Sequence, residues 1–291
     1  MDYHSDRFED YSLMVYKANK LVALLPANKI GDAIHSHQGL TYGGVILGES
    51  LKLNETIEIT KALLIYLETH KVETLYIKLL PEIYQTTPSG ELKYILFLLE
   101  AKLIQSDVLS VIDNLNPPKS MSTVRKRGIK RAEDHQLIIK EDTDFEAFWT
   151  QVLIPNLKNR YGKKPVHSLS EIQLLQKNFP KNIRQFNVYY NDKIVAGTTI
   201  FETKKVAHAQ YISATEQKQE LGSLDFLFHE LYSNIFSKKP FFDFGISNEN
   251  RGRNLNKGLL YWKESFGART VTHDFYSIRT KNHNRLNDIL V

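Results

Sequence analysis

A chain of 291 residues with 42% apolar side chains is long enough for two domains of ordinary size, each with a real core. A formal net charge of +5 favours anionic ligands such as phosphates, nucleotides or acyl carriers, and falls short of the balance of a dedicated nucleic-acid binder. The absence of cysteine excludes disulfides, thiol nucleophiles and Cys-ligated metal sites, and no stretch approaches the ~18 apolar residues of a membrane span.

The first residues, MDYHSDRFEDYS, are charged and hold no signal-peptide core, so the expected compartment is the cytoplasm. Strands are expected at residues 11–16, 21–26 and 33–37. The stretch from Gln38 to Gly44 follows, where glycines permit positive φ or close backbone approach. Asn54 and Glu55 start a helix whose apolar spacing (Ile59, Leu63, Tyr66, Leu67) runs to residue 70. A strand at 74–80 is closed by Pro81. Ser89 caps an apolar helix over 91–105 (Leu92, Ile95, Leu96, Leu99, Leu103), and a strand follows at 109–115. Asn116-Pro117-Pro118 is the best boundary, which sets the domains at 1–116 and 117–291.

Beyond it the pattern predicts a basic helix over 120–131. A helix over 143–158 carries Phe145, Phe148, Trp149 and Val152 on one side, and another over 171–179 is capped by Ser168 or Ser170. A β-meander spans 185–214. Ser223 then caps a helix over 224–236, followed by a strand at 240–246, a helix at 254–266 and a strand at 269–278. The alternation of sheet and helix gives an α/β or mixed α+β class, and the hairpin-like turns make much of the sheet antiparallel.

One plan is present twice. Residues 11–35 (YSLMVYKANKLVALLPANKIGDAIH) and 185–209 (QFNVYYNDKIVAGTTIFETKKVAHA) each read as three strands joined by two polar turns. The turns are Ala18-Asn19-Lys20 and Asn28-Lys29 in the first copy, and Asn191-Asp192-Lys193 and Thr203-Lys204-Lys205 in the second. Each meander is followed by a glycine-bearing loop, a helix, a strand and another helix. The cleft between two such halves is a natural place for a ligand.

Three segments together resemble the Fem-type branch of the GNAT acyltransferases: HQGLTYGGVI (37–46), RKRGIKRAEDH (125–135) and FFDFGISNENRGRNLNKGLLYWKESFGA (241–268). The last is the most specific, with Phe-Asp-Phe-Gly, a polar linker and a helix bearing Tyr-Trp-Lys-x-x-Phe-Gly. The resemblance covers essentially the whole chain. It implies tandem GNAT-like domains, each a mixed, largely antiparallel sheet flanked by helices, and transfer of an acyl or aminoacyl group to an amine. Family members usually carry a leading helical segment before the first strand, so the first domain is expected to be incomplete at its start. The family's pyrophosphate loop usually has several glycines. Here 216–223 has one, Gly222, which points away from ordinary acetyl-CoA. Longer acyl-CoA donors, acyl-carrier protein and aminoacyl-tRNA stay open as co-substrates, with no tightly bound cofactor.

Within this frame the candidate residues each have a plain alternative. Gly222 and Ser223 precede a helix whose N-terminus can hold donor phosphate, with Lys218 adding charge; the alternative is a simple cap by Ser223. The resemblance implies that Lys263 contacts phosphates of donor or acceptor; otherwise it is a lysine snorkelling over the core. Asp243, between Phe242 and Phe244, needs a partner if buried, and is a candidate to hold the acceptor amine or to orient Lys263 or an arginine.

Alternation along 206–213 puts His208, Gln210 and Ile212 on one face and Ala207, Ala209, Tyr211 and Ser213 on the other. The resemblance implies that this strand borders the reaction centre, making His208 or Tyr211 a general base or acid. No protein nucleophile is required, because the amine attacks directly and the oxyanion needs only a donor such as a backbone N–H. His35 and His37 share a strand face but lack a third ligand, so no metal is expected. His37, Gln38, Tyr42, Gly43 and Gly44 read as an acceptor-binding wall or as a glycine-lined turn between domains. Lys119, Arg125, Lys126, Arg127, Lys130 and Arg131 form a patch for phosphates, tRNA included, or a solvated face; no aromatic residues are interleaved to stack bases.

The expected function is N-acyltransfer to a small-molecule amine on a cell-envelope, sugar-nucleotide or lipid precursor. The runner-up is a non-catalytic ligand-binding protein that keeps the duplicated fold, and a third reading is a basic RNA-associated protein. The sequence leaves the oligomeric state open.

Overall fold

The computed structural model describes residues 6–117, 121–287 and 289, so Pro118 of the expected boundary and Lys119 and Ser120 of the basic segment lie outside the described residues. Two compact units share the chain by interleaving. One consists of Met1–Asp107, Asn250–Arg253 and Thr272–Val291, the other of Val108–Glu249 and Asn254–Val271.

The first unit holds β1 (Glu9–Asp10), β2 (Leu13–Lys17), β3 (Lys20–Leu25), β4 (Asn28–Ile30), β5 (Ala33–His35), β6 (Ile46–Leu47), α1 (Leu53–Thr69), β7 (Thr74–Lys78) and α2 (Glu91–Leu98). Ala18 and Asn19, at φ 46° and 65°, make the tight turn expected between β2 and β3. β2, β3 and β6 form a separate three-stranded antiparallel sheet. The expected turn at Asn28-Lys29 is instead strand, pairing with both β1 and β5. The chain reverses after it at Gly31 (φ 59°) and Asp32, so the first meander is split between two sheets. α1 buries Ile57, Leu63, Leu64 and Leu67 against Leu25, Ile34, Leu75 and Ile77. α2 is shorter than its apolar run suggests. Glu100 takes a left-handed φ of 49°, which stops the helix, and the chain re-enters a strand at Lys102.

The chain enters the second unit at Val108, within β8 (Lys102–Asp113), and continues with α3 (Thr123–Asp134), β9 (Ile138–Asp142), α4 (Glu146–Phe148), a π turn (Trp149–Leu153), α5 (Ile154–Tyr161), α6 (Leu169–Asn178), β10 (Ile183–Tyr190), β11 (Lys193–Glu202) and β12 (Val206–Ala214). Then come α7 (Lys218–Leu221), α8 (Ser223–Glu230), β13 (Phe241–Ile246), β14 (Asn248–Glu249), β15 (Asn254–Leu255) and α9 (Lys257–Glu264), and β16 (Arg269–Arg279) passes back into the first unit at Thr272. The strand order is β8-β13-β12-β11-β10-β9. Asn191 and Asp192 (φ 48° and 59°) turn β10 into β11 as expected. Ser168 caps α6 through a reciprocal box: its Oγ accepts from Glu171 N at 3.2 Å, and Glu171 Oε2 accepts from Ser168 N at 2.7 Å. One face of the sheet packs Phe228, Phe242, Phe244 and Phe266; the other packs Phe145, Phe148, Trp149, Ile172 and Tyr211.

Each unit takes one strand pairing from the other half of the chain. β8 follows α2, yet residues 109–113 pair antiparallel with β13. β16 follows α9, yet residues 275–279 pair antiparallel with β7. What repeats most closely is a parallel pair joined by a helix crossover, β5 with β7 and β12 with β13, each three residue pairs long. Among the described residues no helix is long and apolar enough to cross a membrane.

Candidate active site

β12 and β13 pair at Val206–Phe241, Ala207–Phe242 and His208–Asp243, and the ladder ends there. Two irregularities flank this fork. The register of β13 on β8 shifts between Asp243 and Ile246. On β12, Tyr211 pairs with Thr199 and Ala209 with Ile200, which leaves Gln210 as the extra residue of a bulge. A bulge inverts the side-chain alternation beyond it and re-aims residues, as at many active sites. Ala207, Ala209 and Ala214 therefore line one core while Tyr211 lies in the other. Simple alternation placed Tyr211 on the face opposite His208; the bulge brings it to the same face. The Gln210 Oε1 atom is buried without a hydrogen-bond partner.

A chain of polar contacts runs through the last rung. His208 Nδ1 lies 2.9 Å from Asp243 Oδ2, and Asp243 is fully buried. The other carboxylate oxygen, Oδ1, accepts from Gly245 N at 2.7 Å. Gly245 adopts φ 74°, which a side chain would resist. Its carbonyl accepts from Lys263 Nζ at 2.9 Å, and the Ile246 carbonyl accepts from the same nitrogen at 2.6 Å. Lys263 is 2% exposed. Burial pushes its ammonium down to about 7, against a smaller opposing pull from Asp243. α9 presents it because Asn256 caps the helix (Oδ1 accepts from Leu259 N at 3.0 Å) and because Trp262 and Phe266 pack on Phe244, leaving the neighbouring face to the lysine. Three of the expected residues, His208, Asp243 and Lys263, thus meet in one network.

Tyr211 is held from another direction. Its hydroxyl accepts from His167 N at 3.0 Å and lies 2.6 Å from His167 Nδ1, and its ring meets Trp149 edge-on at 5.0 Å.

The expected donor residues sit at the start of α8. The N-cap is Gly222 (φ 68°), without a side-chain cap; Ser223 lies inside the first turn with its Oγ buried and unpartnered. The helix continues after Glu230 as a π turn, Leu231–Ile235. A Cβ on Gly222 would lie 2.0 Å from the Gly128 carbonyl oxygen, so the backbones of α3 and α8 touch. Lys218 on α7 is half-buried. Its ammonium is held below the usual range by burial and then by the like charge of Arg160. In the basic segment, Arg125 is buried and ion-paired with Asp225, which also accepts from Trp262 Nε1 at 3.1 Å. Desolvation raises the Asp225 carboxyl while Arg125 opposes the rise. Lys126, Arg127 and Lys130 are exposed.

The remaining positions belong to the first unit, where the loop after β5 is bound by its own contacts. Gln38 N donates to Asn28 Oδ1 at 2.8 Å, and Gln38 Oε1 accepts from Asn28 Nδ2 at 2.9 Å. The buried His37 accepts from Gly39 N through Nδ1 at 3.1 Å, and Tyr42 donates to Tyr84 at 2.6 Å. Gly43 lies so close to Ser36 that a Cβ would sit 1.9 Å from the Ser36 carbonyl oxygen, and Gly44 takes φ 89° beside Lys78. Lys78 Nζ donates to the Leu40 and Gln38 carbonyls, and desolvation pushes it down to about 8. His35 stacks on Tyr76 at 4.6 Å. Among the described residues no group of three His, Asp or Glu is placed to hold a metal ion.

Comparison with solved structures decides the fold. FemX superposes with a TM-score of 0.64 at 10% identity, over 96% of this chain and 90% of that one. The chain has the Fem-like GNAT acyltransferase fold. L-PGS from Bacillus licheniformis matches this fold with a TM-score of 0.62 at 14% identity, over 92% and 84% of the two chains. A tandem GNAT protein from the clavulanic acid biosynthesis pathway gives 0.50 at 9% identity, over 92% and 82%. No family model matches the chain, and no curated protein matches it. Within the GNAT fold, sequence reasoning missed three site neighbours. Gly245 had a signal, a glycine ending an otherwise apolar strand. The Gln210 bulge and the distant His167 had none.

Proposed function

We propose that the protein is an N-acyltransferase whose second unit carries the chemistry. It moves an acyl or aminoacyl group from a thioester or ester donor to an amine on a cell-envelope, sugar-nucleotide or lipid precursor. The observation that carries this reading is the His208–Asp243 pair at the rung where parallel β12 and β13 part. Asp243 Oδ2 accepts a hydrogen bond from His208 Nδ1–H, which puts the imidazole's lone pair on Nε2. The amine attacks the donor carbonyl carbon and a C–N bond forms. Collapse of the oxyanion breaks the C–S or C–O bond. The proton lost from nitrogen passes to His208 Nε2 and then to the departing thiolate or alkoxide.

The solved structures named above support an acyl or aminoacyl donor. We favour acyl-CoA, with acyl-carrier protein and aminoacyl-tRNA as the other donors to test. Lys218 and Arg160, two cations close enough to repel, are the proposed contacts for donor phosphates, beside Gly222 and Ser223. The loop of His37, Gln38, Tyr42, Gly43 and Gly44 is proposed to contact the acceptor, on its likeness to the corresponding Fem-type loop. We read each unit as one GNAT-like domain and place the reaction in the cytoplasm, where activated donors are made.

The test pairs purified protein with acyl-CoAs, acylated carrier protein and aminoacyl-tRNAs, each with amine acceptors. Amine-dependent release of thiol or uncharged tRNA supports the proposal. A donor that raises the melting point without turnover, across all acceptors, supports the binding-protein alternative.

A further inference from the structure

We propose that Lys263 is a positioning residue for the reaction: by holding the Gly245 and Ile246 carbonyls it fixes the backbone whose N–H locks Asp243, and through Asp243 it sets the tautomer of His208. This rests on the functional reading above and gives Lys263 a task different from contact with a substrate phosphate.

Lys263 Nζ donates to Gly245 O (2.9 Å) and Ile246 O (2.6 Å). The Gly245 peptide sits just past the end of the β12–β13 ladder, so no strand partner on that side defines its orientation. Its φ of 74° is open to glycine and gives the segment many alternatives. A two-point clamp on consecutive carbonyls removes them. The clamped segment aims Gly245 N at Asp243 Oδ1 (2.7 Å), which turns Oδ2 toward His208 Nδ1 (2.9 Å). The imidazole stands over the same residue: a Cβ built on Gly245 would lie 3.4 Å from His208 Cε1.

The chemistry suits a clamp. A neutral amine donates two hydrogens and an ammonium three, so both forms satisfy the two carbonyls. Burial favours the neutral form, and at 2% exposure the nitrogen is far from the exposed ammonium that a mobile phosphate contact calls for.

The experiment compares wild type with Lys263→Met, which keeps the length and removes the donor. The primary readout is the His208 tautomer by long-range 15N–1H correlation, which needs no turnover. The expected result is a single Nδ1–H tautomer in wild type and a mixture in the variant. With the active donor–acceptor pair, kcat falls on the order of 10²-fold while donor KM and its salt dependence hold. An unchanged tautomer in a folded variant overturns the proposal, as does a raised donor KM at constant kcat. Should Lys263→Met fail to fold, hydrogen-bond couplings from the 15Nζ of Lys263 to the 13C carbonyls of Gly245 and Ile246 in wild type decide; their absence overturns it. Full activity in His208→Ala refutes the functional reading instead, whatever the tautomer shows.

Discussion

His208 and Asp243 face each other on the last rung of a parallel ladder, Nδ1 to Oδ2 at 2.9 Å, with the carboxylate shut off from solvent. A buried carboxylate needs donors, and the imidazole and Gly245 N meet the two oxygens of Asp243. Replacing it with asparagine keeps the shape and puts an N–H donor against Nδ1, which inverts the tautomer. Asp243→Asn should therefore fold with near-native melting and lose about 10²–10⁴ in kcat with little change in either KM. Steady-state kinetics alongside a thermal melt checks this; a large fall in melting point with residual activity intact would make the pair structural.

Lys263 gives a pH signature of stability. Its folded value of about 7 lies below the ordinary 10.5, chiefly through burial. Between those values the unfolded chain holds a proton that the folded chain has released. Stability of wild type relative to Lys263→Met should rise as pH climbs from about 7 toward 10.5 and be flat below 7. Urea unfolding of both proteins from pH 6 to 10 measures it, and a difference that falls with pH contradicts the assignment.

Arg125 and Asp225 form a buried pair beneath the contact of α3 with α8. Removing only the cation strands the carboxylate, so Arg125→Met should cost about 3–5 kcal/mol in chemical denaturation. The double variant Arg125→Met with Asp225→Leu should recover most of that loss. A double variant that costs the sum of Arg125→Met and Asp225→Leu measured separately would show that the pair is not coupled.

Gly43 and Gly90 make a matched test of the first unit. A Cβ at Gly43 would lie 1.9 Å from the Ser36 carbonyl, whereas nothing lies within 4 Å of one at Gly90. Gly43→Ala should lower stability by about 1–3 kcal/mol, and Gly90→Ala should stay within about 0.5 kcal/mol of wild type. Similar melting points for the two would refute the close approach.

Local signals carried much of the architecture. Asn191-Asp192 predicts its turn because both residues tolerate positive φ, and Ser168 predicts its cap because Glu171 stands three residues on. Asp243 stands out between Phe242 and Phe244 because a carboxylate in an apolar strand demands a partner, and His208 is that partner. The rest depends on contacts distant in sequence. The return of β16 to β7, and of β8 to β13, is set by which sheet edge each strand meets. The bulge at Gln210 has no composition signal, so alternation misplaced Tyr211. Lys263 reads as a phosphate contact or a snorkelling lysine because neighbouring Trp262 and Phe266 take the core-facing positions, yet its buried amine reaches two carbonyls at a strand end.

On the proposed function, the fork between β12 and β13 performs acyl transfer. Its most direct measurement is single-turnover formation of the amide bond by wild type, His208→Ala and Asp243→Asn, with donor and amine saturating. Amide formation is expected from wild type, with a fall on the order of 10²-fold or more in both variants and donor still bound. Equal rates in all three proteins, or bound donor that never yields amide in wild type, would contradict it.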